Sequence, residues 1–473
     1  MLEQLTVKQR LKNFKILKDS TRSILFDRET MLLRALKPEL ADDLDSLMAN
    51  LDLLPPESAA ITKISNIINY LTAVRINAPS ESQVAKTENE TPTTELDEKL
   101  SHLPSHRVLP KLAINIANAC NLACTYCYAN KGVYGTPEKF LMKPELIEAT
   151  IEKFAERFDY IEKIQFMGGE PSMNPSAIKQ TALVFQRLVD EGKLVAPASL
   201  GMVSNGLNYS DEFWDVLQKY NCQVTVSLDG PAEIHDTARV LANGAGSYQK
   251  IHQNIRKALD LGIQIGFEPT FSRAHLNHGM TLIDLCQWFF DEYGHRCLHA
   301  PAMSANPYER DSTHDLGLTN EEKIREYCSV SEWGLDNLFQ GHFLMHGFTQ
   351  RILHSFETRI RNSSSCPAGT SQLAVSTKGD VSPCWMFTDE KPFYMGNVKK
   401  NDFLGPKAAA VLQAMGEYDL TTHPECRKCW IQPVCFGCRG GDYHATETIN
   451  GKTDCDYMRA MVETIVLKVC EAF

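Results

Sequence analysis

The chain has 473 residues, 43% apolar and 23% charged, a balance that suits a globular protein of two or three domains. A net charge of −11 leaves no basic footprint for nucleic acid, so no nucleic-acid partner is expected. Met1 to Lys12 lacks the apolar run of a signal peptide and no stretch approaches a membrane span, so a cytoplasmic location without a membrane partner is expected.

In chain order, Phe14–Leu17 and Ser23–Phe26 are short apolar runs around a polar Lys18–Arg22, the pattern of a hairpin. A helix from about Lys37 carries Leu40, Leu44 and Leu47 on one face, and a second over Ala59–Val74 carries Ile61, Ile64, Ile67, Ile68 and Leu71. A hairpin followed by helices predicts a small winged-helix-like module over residues 1–77. Residues 78–107, poor in bulky apolar side chains through Glu98, read as a linker.

From Val108 to Thr319 apolar runs alternate with amphipathic helices. Strands are predicted at Leu112–Ala117, Lys163–Met167, Ser199–Val203, Gln223–Leu228, Gln264–Thr270 and Cys297–Pro301. Helices are predicted at Pro144–Phe158, Ser176–Glu191, Asp211–Lys219, Tyr248–Leu261 and Met280–Tyr293. Alternation of this kind gives a parallel sheet with right-handed crossovers, and six units make a partial (β/α)6, TIM-like barrel. Barrel chemistry sits where the strands end, and the distinctive motifs here begin there. Residues 320–473 open with helical sequence and become rich in cysteine.

The 15 cysteines are unevenly spread. None precedes Cys120, three stand together in Cys120-Asn-Leu-Ala-Cys124-Thr-Tyr-Cys127, and seven fall between Cys366 and Cys455. A reducing compartment disfavours disulfides, so clustering points to metal ligands. The scattered Cys222, Cys286, Cys297, Cys328 and Cys470 read as small apolar residues. Three thiolates in one loop make a poor structural zinc site but leave one iron of a [4Fe–4S] cubane open.

This loop resembles that of the radical S-adenosylmethionine (SAM) superfamily, including the aromatic Tyr126 before the third cysteine. The resemblance extends to Gly168-Gly169-Glu170-Pro171, Ser204-Asn205-Gly206, Ser227-Leu228-Asp229-Gly230 and the later Arg239. It implies a cluster on Cys120, Cys124 and Cys127 whose open iron chelates SAM. Glu170 in the Gly168-Gly169-Glu170 turn would accept the SAM ammonium. Tyr126, Ser204, Asn205, Ser227 and Asp229 would contact SAM, and Arg239 would pair with its carboxylate. From the residues alone, Asn205 and Asp229 are equally turn or capping residues.

Downstream, Cys366, twelve residues, Gly379, four residues and Cys384 are followed by Cys426-x-x-Cys429, five residues, Cys435-x-x-Cys438 and Cys455. Taken alone, the paired CxxC motifs also fit a zinc ribbon. The pattern resembles the SPASM extension of peptide-modifying radical SAM enzymes, except that two residues rather than three separate Cys435 from Cys438. The resemblance implies two auxiliary [4Fe–4S] clusters, one on Cys426, Cys429, Cys435 and Cys455, the other on Cys366, Cys384 and Cys438. No fourth cysteine follows Cys366 closely; an open iron, Cys328 or a non-cysteine ligand would complete that cluster.

The stretch Ile116–Gly135 looks closest to maturases of ribosomally made peptides. That resemblance implies capture of a precursor's leader by the N-terminal module, a flavodoxin- or ferredoxin-type electron donor, and an intrapeptide crosslink. A thioether is the first expectation, a carbon–carbon or carbon–oxygen link the next. The rivals are an anaerobic sulfatase-maturating enzyme that makes formylglycine, and a non-enzymatic iron–sulfur or zinc protein. No catalytic base is evident from sequence.

Overall fold

The computed structural model describes residues 11–19, 23–53, 103–135, 138–302, 316–417, 419–448 and 451–470. The expected helix over Ala59–Val74 and most of the 78–107 linker lie outside them. Near the N-terminus the predicted hairpin is present: β1 (Phe14–Lys18) pairs antiparallel with β2 (Ser23–Asp27), Phe14 opposite Asp27. A third strand, β3 (Leu32–Leu36), extends the sheet and α1 (Pro38–Ala49) follows, started by a proline that lacks the amide an N-terminal turn leaves unbonded. Leu11, Phe14, Ile16, Leu25, Leu36, Ala41 and Leu44 form a small core of this module. The opposite face of the hairpin joins the main core through Leu17, Ile24 and Phe26. Phe26 is fully buried, edge-on to Phe356 at 5.9 Å and Trp430 at 6.1 Å. A buried phenylalanine contributes about 1.5–3 kcal/mol, so this module is fastened to the C-terminal block rather than tethered.

The next units follow the predicted alternation: β4 (Val108–Asn118), α2 (Pro144–Ala155), β5 (Tyr160–Gly168), α3 (Pro175–Asp190), β6 (Ser199–Ser204), α4 (Asp211–Lys219), β7 (Gln223–Val226), α5 (Tyr248–Asp260), β8 (Ile265–Phe267), α6 (Leu282–Tyr293) and β9 (Cys297–Leu298). β4 to β8 are parallel neighbours in that order. Among the described residues, the β9 segment reaches the sheet only through a bridge between Phe271 and Ala302, so the barrel is partial and unclosed. Beyond it come α7 (Asn320–Phe339), β10 (Met345–His346), which pairs with β9, and α8 (Gly347–Thr358).

The cysteine-rich block contributes to the same sheet. β11 (Gln372–Val375) runs parallel to β4, with Ala374 opposite Ala113, and β12 (Val381–Ser382) caps that edge. Nothing in four residues announces such a partner. The pairing covers an edge that would otherwise expose unpaired backbone groups. Period-two alternation then defines two faces. Leu112, Ile114 and Phe166 pack on the surrounding helices, whereas Ala113, Met167 and Ala374, with Val203 and Trp385, line the interior. α9 (Cys455–Val469) packs along α7 and closes the C-terminal block.

Candidate active site and auxiliary cysteine sites

The three-cysteine loop leaves the end of β4 and is tied down by backbone bonds, Ala123 N to Val240 O at 2.8 Å and Thr125 N to Ala238 O at 3.0 Å. The Gly168-Gly169-Glu170 turn at the end of β5 locks against it: Gly169 N donates to Ala117 O and Glu170 N to Ala119 O, each at 2.8 Å. A Cβ on Gly169 would stand 2.1 Å from Ala119 O. One on Gly132, whose φ is +86°, would stand 2.6 Å from Gly169 Cα and 2.7 Å from Cys120 Cβ. Both positions therefore require glycine, and the cradle they form holds the loop. Burial raises the Cys120 thiol to about 12 and Cys124 to about 11. Thiols so disposed become thiolates when iron displaces the proton, so the donor set fits a cluster. Leu122 N, at 3.4 Å, donates to Cys120 Sγ, and Asn205 Nδ2 lies 3.6 Å from the same sulfur.

Glu170 and Ser204 sit in a hydrogen-bonded network that joins the strand ends. Glu170 is 1% exposed, and its carboxylate accepts from Ser172 N at 2.9 Å, Ser204 Oγ at 2.8 Å and Asn205 N at 2.7 Å. Burial raises its pKa, and these bonds oppose the rise. Ser204 Oγ also accepts from Gly206 N and Tyr209 OH, both at 3.1 Å. Glu170 and Ser204 thus brace neighbouring strand ends. Asn205 bridges loop and turn, donating to Asn121 Oδ1 at 2.7 Å and accepting from Leu207 N at 2.9 Å.

Asp229 organises the other side. It accepts from Arg239 Nε at 2.9 Å, Thr270 N at 2.9 Å and the Tyr126 hydroxyl. Arg239 stacks over the Tyr126 ring, 5.2 Å from its centre. Burial pushes Asp229 up, but Arg239, His235 and the Thr270 amide together more than offset it and the carboxyl lies below its ordinary range. This buried pair commits the Nε edge of Arg239 to Asp229. Ser227 is half-buried at the end of β7, its amide bonded to Ser204 O. Two histidines hold the Asp229 backbone. His235 Nδ1 accepts from Asp229 N at 3.2 Å, and His275 Nε2 meets Asp229 O at 2.6 Å. Burial lowers His235 to about 4 and lowers His275 as well, so both are neutral.

The C-terminal cysteines gather into two groups. Cys426, Cys429, Cys435 and Cys455 line a cavity of about 720 Å³. Burial raises Cys435 to about 12, and the charges of Cys429, Cys455 and Cys426 add to it. Cys384 is raised by burial and then by Cys438 and Cys366; Cys438, raised to about 11 by burial, also feels Cys366. Cys328 bonds Thr464 between α7 and α9. No three His, Cys, Asp or Glu side chains among the described residues close on a single-ion position. Groups of thiols arranged around a cavity suit a cubane better than one zinc ion.

Charged residues missed in the sequence face the barrel interior. Strand parity puts Lys111 with Ala113, and Glu268 with Gly266, whose added Cβ would meet Thr225 Oγ1 at 3.6 Å. Lys111 Nζ lies 5.3 Å from the Trp385 ring centre. Burial lowers Lys111 and Lys163 lowers it further, while Cys384, Glu268 and Cys366 oppose. His299 is lowered by burial against the pull of Glu268, with Arg351 adding to the lowering. Arg351 in turn feels the Cys366 thiol. Charges at alternate positions in otherwise apolar strands were the available signal.

Strand-end loops carrying three thiols on a partial barrel define a radical SAM domain, and the Radical SAM superfamily model matches residues 114–287. The SPASM iron-sulfur cluster-binding domain matches residues 366–430, so this chain is a SPASM-bearing radical SAM enzyme whose cofactors are SAM, a [4Fe–4S] cluster and auxiliary iron–sulfur clusters. Its relatives include the serine-type anaerobic sulfatase-maturating enzyme of Bacteroides thetaiotaomicron, 22% identical over 72% of this chain and 84% of that one. The radical SAM cyclopropyl synthase TigE of Paramaledivibacter caminithermalis is 23% identical over 78% and 76%. Among solved structures, anSMEcpe with bound AdoMet and Cp18Cys peptide superposes with a TM-score of 0.63 at 17% identity, covering 76% of this chain and 98% of that one. Streptococcus suis SuiB bound to precursor peptide SuiA gives 0.50 at 12% identity, covering 94% and 99%.

Proposed function

We propose that this enzyme matures a ribosomally made peptide by joining two of its residues, a cysteine sulfur to a carbon first and a carbon–carbon or carbon–oxygen link next. The observation that carries this reading is the trio Cys366, Cys384 and Cys438 beside a barrel interior lined by Lys111, Glu268 and His299. A three-thiol site suits a substrate thiolate as fourth ligand. SuiB, a fold neighbour, binds a precursor peptide, and the N-terminal β-sheet module offers the leader a sheet to extend.

Cys120, Cys124 and Cys127 would hold the SAM cluster, with Tyr126, the Gly168–Glu170 turn, Asn205, Ser227 and the Asp229–Arg239 pair framing SAM. Cys426, Cys429, Cys435 and Cys455 would hold one auxiliary cluster, and the trio the other. When bound, these cofactors supply hydrogen-atom abstraction by a 5′-deoxyadenosyl radical and an acceptor for the surplus electron. Joining S–H to C–H removes two hydrogens, one as an atom and one as a proton with an electron left over. Glu268, opposed by His299 across the interior, takes that proton. Lys111 and Arg351 balance the charge of substrate and thiolates, and the apolar interior row excludes water. The reading includes a flavodoxin- or ferredoxin-type donor and a cytoplasmic setting, where thiols stay reduced.

A second reading, formylglycine formation, is favoured by the relatives named sulfatase-maturating enzymes. Anaerobic co-expression with each short reading frame beside the gene, followed by mass spectrometry, separates the two. A peptide that loses two hydrogens, with a cysteine that no longer alkylates, is the expected result. A hydrazide-reactive aldehyde on a Cys- or Ser-containing sulfatase-type peptide would transfer the enzyme to the second reading.

A further inference from the structure

The cavity around Cys426, Cys429, Cys435 and Cys455 is ringed by cations, Lys12, Lys15, Arg28, Lys428, Lys452 and Arg459, against the single acid Glu425. This concentration stands out in a chain of net charge −11. Three of the six, Lys12, Lys15 and Arg28, come from the N-terminal module, about 400 residues away in sequence. Lys12 is spent on Asp52 at 2.6 Å. Arg28 is not spent on a carboxylate among the described ion pairs. It follows β2 directly, and the turn that presents it is braced by Asp27, which accepts from Glu29 N at 2.9 Å and Thr30 Oγ1 at 2.6 Å. Its own amide donates to Asn13 O at 2.9 Å. Beside it Phe26 is wedged against Trp430, the residue after Cys429.

From this platform Arg28 Nη2 donates to Arg427 O at 3.0 Å, inside the Cys426–Cys429 loop. Its Nε is buried without a hydrogen-bond partner. The Cys429 thiol is the group whose charge favours the guanidinium most. A buried donor left unsatisfied is costly, and an anionic partner in the cavity would satisfy it. Arg459 from α9 makes a side-chain bond to Cys429. No such pair of guanidinium groups attends Cys120, whose largest charged neighbour is the acidic Glu170.

We infer that Arg28 of the N-terminal module is a positioning residue for the auxiliary cluster held by Cys426, Cys429, Cys435 and Cys455, clamping its CxxC loop and raising its reduction potential. A fixed positive charge stabilises the form of the cluster that carries one more electron. The module that meets the peptide then also sets how readily this cluster accepts an electron. The inference rests on the reading of the four cysteines as an iron–sulfur site.

The test uses the full chain with Cys120, Cys124 and Cys127 replaced by Ala, reconstituted with iron and sulfide so that only the auxiliary clusters remain. Potentiometric titration against dithionite, followed by electron paramagnetic resonance, reads one-electron reduction of each cluster. Arg28→Gln should move one midpoint to a more negative potential and leave the other in place, while Arg28→Lys, which keeps the charge, should shift it less. If Arg28→Gln sheds iron and Arg28→Lys does not, the charge is again shown to act on the cluster. Equal shifts, or equal iron loss, in both variants would overturn the inference in favour of packing. Unmoved midpoints with full iron overturn the inference alone. Zinc in place of iron at the four cysteines in the unsubstituted chain overturns it together with the cluster reading beneath it.

Discussion

The two ends of the electron path are built in opposite ways. The SAM site is local: Cys120, Cys124 and Cys127 share one loop, and the strand ends around it, Gly168–Glu170, Ser204–Asn205 and Ser227–Asp229, come from consecutive units of one sheet. Its acids and bases cancel internally, as in the Asp229–Arg239 pair and the neutral His235 and His275. The auxiliary sites are non-local. Cys366 and Cys384 meet Cys438, the four other cysteines meet beneath a module from the N-terminus, and a ring of cations lines the cavity of those four. A preorganised, charge-balanced site holds a cofactor without biasing it, whereas a cationic rim favours added electrons. This difference matches what each cluster would do in the proposed reaction, giving up an electron at one end and accepting one at the other.

The sharpest way to break this comparison is Gly169→Ala. The new Cβ meets backbone, Ala119 O at 2.1 Å, which no side-chain adjustment relieves. SAM cleavage should vanish and about four irons per chain should be lost, with about eight retained at the auxiliary sites. Iron analysis beside an assay of 5′-deoxyadenosine measures both. Loss of all the iron would show that the two regions are not independent.

Next is Glu268→Gln, which tests whether the interior between the two regions handles the proton. Product formation should fall by about 10²–10⁴, while transfer of substrate hydrogen into 5′-deoxyadenosine persists. Equal losses in both readouts would place Glu268 in binding rather than in proton transfer.

Acid gives the smallest effect. Burial lowers His235 to about 4 and His346 to about 3, below the value of about 6.5 in an unfolded chain. The unfolded state therefore binds protons that the folded state refuses, and stability present above pH 6.5 is lost as pH falls. Each histidine should cost about 2 kcal/mol between pH 7 and pH 5. Urea unfolding of the anaerobic protein at the two pH values measures this, and His346→Gln should reduce the slope. Identical midpoints at both pH values would refute the neutral assignment.

Much of the barrel was legible because strands and helices write their own periodicity. Asp211–Lys219 has the same bounds in the structure as in the sequence reading, and Ser199, Gln223 and Cys297 each open the strand expected. The partial closure was legible as a count of units, but the entry of Gln372–Val375 beside β4 was not, since pairing partners leave no local trace. The intraprotein partners of Glu170, Ser204 and Arg239 were not legible for a related reason. Motif position told where they stand, and only the surroundings told what they touch. Glu268 and His299 passed unnoticed because each is a single charge in a short apolar run.

By itself the sequence determined the chemistry of the donors: three thiols in one loop, seven more at recognisable spacings, and the strand–helix units that carry the first group. The tertiary structure decided which thiols stand together, which polar side chains are consumed in bracing the frame, and that an N-terminal arginine reaches a C-terminal cysteine loop. Ligand type and spacing are local properties of a chain. Burial, charge balance and long-range contact depend on neighbours that folding brings from far along it.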